Sequence, residues 1–184
     1  MTNEKQNKFE ETIQPTDNYF LQPIKNDYKL SENCKTVTKY KGDDYIKIGL
    51  ACAKTLKYDS IIEFAFKIEK ADAFCVFIGF MEEGTSLEKG AGSEKTSWMC
   101  YLNDGRFINA GEKNEIFYDL NWSKPDQTSF IVIICIDTAT DEMYLKINGP
   151  EITKKLKMKI TDEQKQKLVP CVDFRKVGDK ITII

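Results

Sequence analysis

FIVIICIDTATDEMYLKING, Phe130 to Gly149, carries two periodicities side by side. Phe130 to Ile136 is an unbroken apolar run rich in β-branched residues and reads as a strand covered on both faces. Asp137-Thr-Ala-Thr-Asp141 follows, with side chains able to bond their own backbone in a turn. Met143 to Ile147 alternates apolar and polar, as a strand with one wet face does. Asn148-Gly149 tolerates positive φ at both positions, a strong hairpin signal, and Pro150 blocks continuation of a ladder. Two paired strands, one of them doubly buried, require further layers to pack against.

The same signals recur outward from this stretch. On the N-terminal side, Lys35–Tyr40 and Tyr45–Leu50 alternate around the turn Lys41-Gly42-Asp43-Asp44. Ser60–Ile68 places Ile62, Phe64, Phe66 and Ile68 on one face, and Ala73–Met81 is heavily apolar on both. With Glu69–Asp72 between them, these two runs read as a hairpin. Glu82–Lys95, with three glycines and no aromatic residue, reads as a long surface loop of the kind that is often functional. Trp98–Leu102, Phe107–Ala110 and Ile116–Leu120 are short strands, the first two joined at Asn103-Asp104-Gly105. On the C-terminal side, Glu151–Ile160 alternates with lysine at its polar positions, which suits an edge strand. Thr161-Asp-Glu-Gln164 matches a capping box opening a short helix that ends before Pro170. Leu168–Phe174 and Lys180–Ile184 follow as strands around the turn Arg175–Gly178. About twelve strands with no βαβ alternation predict antiparallel sheets, an all-β sandwich.

Composition narrows the function classes. The chain has 184 residues and a net charge of −2. Its 27 basic residues include only two arginines, Arg106 and Arg175, with no clustered basic face, so nucleic-acid readout is not expected. Histidine is absent. That removes Ser-His-Asp and Cys-His activation and imidazole zinc sites. The six cysteines, 34, 52, 75, 100, 135 and 171, form no CxxC pair. Cys75, Cys100, Cys135 and Cys171 lie in strand-like runs and read as small buried hydrophobes with free thiols. No EF-hand spacing occurs at Asp43-Asp44 or Asp137–Asp141. No catalytic residue, metal or cofactor is therefore expected. The polar start, without an apolar h-region, and the lack of a run near ~20 apolar residues predict no signal peptide and no membrane span. The expected location is the cytoplasm or an intracellular assembly.

The order of these segments resembles the SPRY domain family across roughly Cys34–Ile184. Ile62-Glu63-Phe64 is similar to that family's early "yfEv" strand and Val76-Phe77-Ile78-Gly79 to its "igvG" strand. Ser97–Tyr101 with Asn103-Asp104-Gly105 resembles "SyGY…dG". Ile133–Asp137, Leu145–Gly149 and Leu168-Val169-Pro170 resemble "igv.lD", "l.ff.NG" and "l.P". Met99 and Cys100 depart from the pattern, standing where glycine and an aromatic residue are usual. No PRY pattern precedes Cys34. The resemblance implies a bent antiparallel β-sandwich, a concanavalin-like jelly roll, over residues 34–184. Residues 1–33 would form an N-terminal arm, partly disordered or packed on the sandwich.

The resemblance also implies a non-catalytic module that binds a peptide or protein through loops at one end of the sandwich, as a subunit of a larger complex. By position those loops are Lys41–Tyr45, Glu82–Lys95 and Arg175–Gly178. The candidate partner-binding residues are Asp43, Asp44, Tyr45, Glu82, Glu83, Leu87, Trp122, Arg175 and Lys176. Tyr45 and Arg175 lead, because aromatic and arginine side chains dominate binding hot spots. Trp98, mid-strand, is expected in the core, and Trp122 either caps the sandwich or touches a partner. The competing class is a carbohydrate-binding or carbohydrate-acting sandwich. It lacks support from paired carboxylates: Glu63 and Glu69 stand alone, and Glu82-Glu83 would point to opposite faces if extended.

Overall fold

All pairings among the described strands are antiparallel. The computed structural model describes residues 20, 27–42, 49–51, 61–69, 76–85, 94–116, 129–148 and 154–184, with backbone alone at 49–51 and 113–116. In chain order the strands are β1 (Tyr28–Leu30), β2 (Thr36–Lys39), β3 (Gly49–Ala51), β4 (Ile61–Glu69), β5 (Val76–Glu82), β6 (Ser97–Tyr101) and β7 (Arg106–Asn109). They continue as β8 (Glu112–Ile116), β9 (Ser129–Asp137), β10 (Glu142–Ile147), β11 (Leu156–Lys157), β12 (Leu168–Phe174) and β13 (Lys180–Ile183). One helix, α1 (Asp162–Lys165), precedes β12. A seven-stranded sheet runs β1-β2-β13-β4-β9-β10-β11, and a six-stranded sheet runs β3-β12-β5-β6-β7-β8. This is the all-β sandwich that the strand pattern predicts.

The core lies between the sheets. Phe64, Phe66 and Ile68 of β4 and Val132, Ile134 and Ile136 of β9 belong to the same buried cluster as Ile78, Phe80, Trp98, Cys100, Val172 and Phe174 from the other sheet. Each such side chain contributes about 1.5–3 kcal/mol by leaving water. Phe20 also belongs to this core, with its amide bonded to the Cys34 carbonyl at 2.8 Å and its ring 6.3 Å from that of Phe66. Tyr28–Leu30 pairs with β2, so the sheet reaches back beyond Cys34.

Three expectations change. Ser60–Ile68 and Ala73–Met81 do not form a hairpin: β4 and β5 lie in different sheets. Both present an apolar face, and the faces meet across the core where a hairpin would set the strands edge to edge. Phe130–Ile136 is not covered on both faces. Ile131 is 42% exposed, and the doubly buried strand is β12, all seven residues of which are buried. Outward positions of β9 face away from the second sheet, and only Cys135 among them is fully sheltered. Of Glu151–Ile160, the described residues 154–160 yield just the two-residue β11. Beyond Lys157 the backbone bonds a side chain: Asn109 Nδ2 donates to the Lys157 carbonyl at 2.9 Å, and Lys159 N donates to Asn109 Oδ1 at 2.7 Å. A strand is described at Glu112–Ile116, set by the tight turn Ala110-Gly111 with φ of 54° and 79°; of the expected Ile116–Leu120, residues 117–120 lie outside the described set.

Local chemistry explains the remaining punctuation. Gly79 stands opposite Met99 where β5 and β6 approach closely, and a Cβ there would lie 2.0 Å from the Trp98 carbonyl oxygen. The capping box forms: Gln164 N donates to Thr161 Oγ1 at 3.2 Å, and Thr161 N to Gln164 Oε1 at 3.1 Å. Trp98 is fully buried, and its indole N–H donates to the Lys159 carbonyl at 3.1 Å.

Candidate functional site at one end of the sandwich

The turn after β12 and the end of β2 meet at one end of the molecule. The Gly178 amide donates to the Lys39 carbonyl at 2.8 Å, and the Lys39 amide to the Asp179 carbonyl at 3.1 Å. Gly178 holds φ at 95°, a value glycine adopts at no steric cost. Tyr40 N donates to the Asp27 carbonyl at 3.0 Å, so the β1 end is tied to the same place. At Gly42, with φ 98°, an added Cβ would lie 2.5 Å from the Asp27 carboxylate. The turn and the two strand ends are thus fixed by backbone bonds.

Beneath them lies a charged cluster of unusual depth. Lys39, Asp173 and Asp179 are each no more than 1% exposed. Charges so buried persist only when compensated by partners. The Lys39 ammonium lies 5.7 Å from the Tyr28 ring centre, and Arg175 comes within 4.0 Å of Asp173. The Tyr28 hydroxyl donates to the Phe174 carbonyl at 2.7 Å. Burial, followed by the negative field of Asp173, Asp27 and Asp179, pushes that hydroxyl far above its usual range, with Arg175 acting in the opposite sense. Tyr28 is therefore a neutral donor, and its ring meets Phe174 edge-on at 5.2 Å.

Above the cluster the surface is aromatic, aliphatic and basic. Tyr40 is 37% exposed and Val177 45%. The ammonium groups of Lys29 and Lys41 lie 4.6 Å and 5.3 Å from the Tyr40 ring centre. Arg175 stacks over Phe77 at 5.1 Å.

The candidate residues divide. Arg175 and Lys176 sit on this end. Glu82 and Glu83 do not: Glu82 pairs with Leu168 and Val76 with Phe174, so Glu82 and Arg175 lie at opposite ends of one ladder, roughly 20 Å apart. Glu82 is held there by Lys167 at 3.9 Å and Gln164 at 3.5 Å. The neck of the following loop is closed by Thr85 Oγ1 and Thr96 Oγ1 at 2.8 Å. Asp43, Asp44, Tyr45, Leu87 and Trp122 lie outside the described residues. Tyr40 and Lys29 lie outside the loops expected from sequence, and Lys41 and Val177 lie inside them without being singled out as contacts. Tyr40 looked like the last residue of a strand, and only the bond between Lys39 and Gly178 brings it to the turn.

Among the described residues, no group of three or more His, Cys, Asp or Glu side chains is arranged to hold a metal. Cys34, Cys100, Cys135 and Cys171 are buried free thiols, and Cys75 lies outside the described residues. Burial, reinforced by the field of Glu63, pushes the Cys135 thiol up to about 12. Among the described residues, no helix is long and apolar enough to cross a membrane.

The architecture has relatives among solved structures. The SPRY domain of human HERC1 matches over 88% of this chain and 96% of its own, at 16% identity and a TM-score of 0.62. The TRIM65 PSpry domain matches over 98% of both chains at 10% identity and 0.66. A further human SPRY domain matches over 89% of this chain and 95% of its own, at 14% identity and 0.59. At such identities the likeness speaks for the fold alone. No curated protein sequence matches the chain. The family model of the SPRY domain, however, matches residues 62–184, most of the sandwich just described, and the chain belongs to the SPRY domain family.

Proposed function

We propose that this chain is a non-catalytic interaction module that holds a protein or peptide partner at the end of the sandwich carrying Tyr40, Arg175, Lys176 and Val177. SPRY domains are generally protein-interaction modules. The observation that carries the assignment to this end is the pair of exposed side chains, Tyr40 just after β2 and Val177 on the turn bonded to the end of that strand, over a buried charge cluster. A surface held rigid before contact loses little entropy on binding. Arginine and tyrosine supply the anchors that dominate interface energies.

The test is site-specific photo-crosslinking with a photoreactive residue at Val177, compared with one at Ile61. Both positions are exposed, at 45% and 51%. Ile61 lies at the far end, since Glu69 of the same strand is the residue paired with Lys180. Specific protein adducts from Val177 and not from Ile61 are expected. Equal adducts from both positions, or adducts from Ile61 alone, would remove this end as the binding surface.

A further inference from the structure

We propose that the outer face of the six-stranded sheet carries, at the Arg175 end, a docking strip for an extended acidic segment of a partner protein. This rests on the interaction reading above and names the chemistry of the partner. The strip is one cross-strand row. Asp173 of β12 stands opposite Phe77 of β5, Phe77 opposite Tyr101 of β6, and Tyr101 opposite Arg106 of β7. Arg175 closes the row by stacking on Phe77. The only two arginines of a chain otherwise committed to lysine therefore flank one aromatic pair. Phe77 and Tyr101 stack at 4.5 Å with 20° between their planes.

The row sits where burial stops. In the next row inward, Cys171, Met99 and Ile108 are at most 3% exposed. Phe77 and Tyr101 are half-buried, and the Arg175 and Arg106 side chains are 19% and 42% exposed. Each arginine has an acidic neighbour: Arg106 is paired with Asp104, and Arg175 lies 4.0 Å from Asp173. A guanidinium has five donors, so one carboxylate does not saturate it.

Geometry sets the ligand. Phe77 and Arg106 are two strands apart, roughly 10 Å. An extended peptide turns alternate side chains to opposite faces, so residues that share a face stand about 7 Å apart. Two carboxylates four residues apart, with an apolar side chain midway between them on the Phe77–Tyr101 platform, span about 13 Å, within reach of both guanidinium forks on their long side chains. Arginine suits the task better than lysine because its planar fork grips a carboxylate with two parallel bonds.

The test begins with a displayed library of random dodecapeptides panned against the purified chain. A synthetic copy of the leading sequence is then titrated by fluorescence anisotropy. Enriched peptides should carry two Asp or Glu residues four positions apart with an apolar residue midway between them. Arg106→Gln and Arg175→Gln should each weaken binding about tenfold or more, and Arg106→Lys should recover only part of the loss. Arg106→Gln is the decisive variant, because its exposed side chain leaves the melting temperature within about 2 °C. Enrichment of neutral or basic peptides, no enrichment, or affinity indifferent to both substitutions would overturn the proposal. In those cases adducts from Val177, if they persist, leave the broader interaction reading standing; their absence removes both.

Discussion

Asn109→Ala tests whether one side chain staples the two sheets together. Asn109 belongs to the six-stranded sheet and is 5% exposed. Its amide binds the chain leaving β11, the last strand of the seven-stranded sheet, through the Lys157 carbonyl at 2.9 Å and the Lys159 amide at 2.7 Å. Truncation leaves one acceptor and one donor without partners. Each costs about 1–3 kcal/mol when water cannot replace the bond. Lys157 and Lys159 are exposed, so some rehydration is expected and the sum falls at about 3 kcal/mol. For a chain of this size that lowers the melting temperature by about 6–12 °C. Thermal unfolding followed by circular dichroism gives the first reading. Amide exchange at Lys159 gives the second, since its protection should fall in the variant. Asn109→Asp is the informative companion: it keeps the acceptor for Lys159 but sets a carboxylate oxygen against the Lys157 carbonyl. It should be at least as damaging at pH 7 and recover as acid protonates the carboxyl and restores a donor. An alanine variant that melts within about 1 °C of the parent, with Lys159 still protected, would refute the staple.

Three further outcomes follow from the geometry. Gly79→Ala places a Cβ 2.0 Å from the backbone oxygen of Trp98, so β5 and β6 must part; a loss above about 4 kcal/mol is expected, read as failure to recover folded protein. Thr161→Ala removes the capping bond to Gln164 and should cost about 1 kcal/mol in chemical unfolding, whereas Thr161→Ser should cost far less. Cys135 titrates from its ordinary 9.0 up to about 12 in the folded chain. The unfolded state therefore loses its proton first as pH rises. The contribution is fully present below about 9 and is lost as pH climbs towards 12. Unfolding at pH 7 and 10 should show this decline, and Cys135→Ala should make it shallower; an unchanged slope counts against the burial assigned to that thiol.

Much of the architecture is legible in residue order because the alternation of Met143–Ile147 and of Ile62–Ile68 names the buried face of each strand. The same alternation says nothing about the partner strand. Thus β4 and β5, adjacent in sequence, were read as a pair although they face each other across the core. The site was legible in part. Arg175 stood out as a hot-spot residue type in a candidate loop, but its company did not. Phe77 looked like one more apolar residue and Arg106 like part of a turn, and only the register of β5, β6 and β7 sets them in one row. Glu82 shows the same limit from the other side. Its loop has the composition of a functional segment, yet nothing local reveals that β12 carries it to the far end from Arg175.

The position of β13 has a consequence for how the chain is made. Lys180–Ile183 lies between β2 and β4 in the middle of the seven-stranded sheet, bonded to Thr36–Thr38 on one side and to Phe66–Glu69 on the other. During vectorial synthesis those two neighbours emerge from the ribosome long before the segment that joins them. They must wait unpaired along facing edges, and pairings of such long sequence separation form slowly. Exposed edges of this kind attract other chains. The nascent protein therefore passes through a stage in which a chaperone is of most use, and that stage ends when its last described strand slides into the gap.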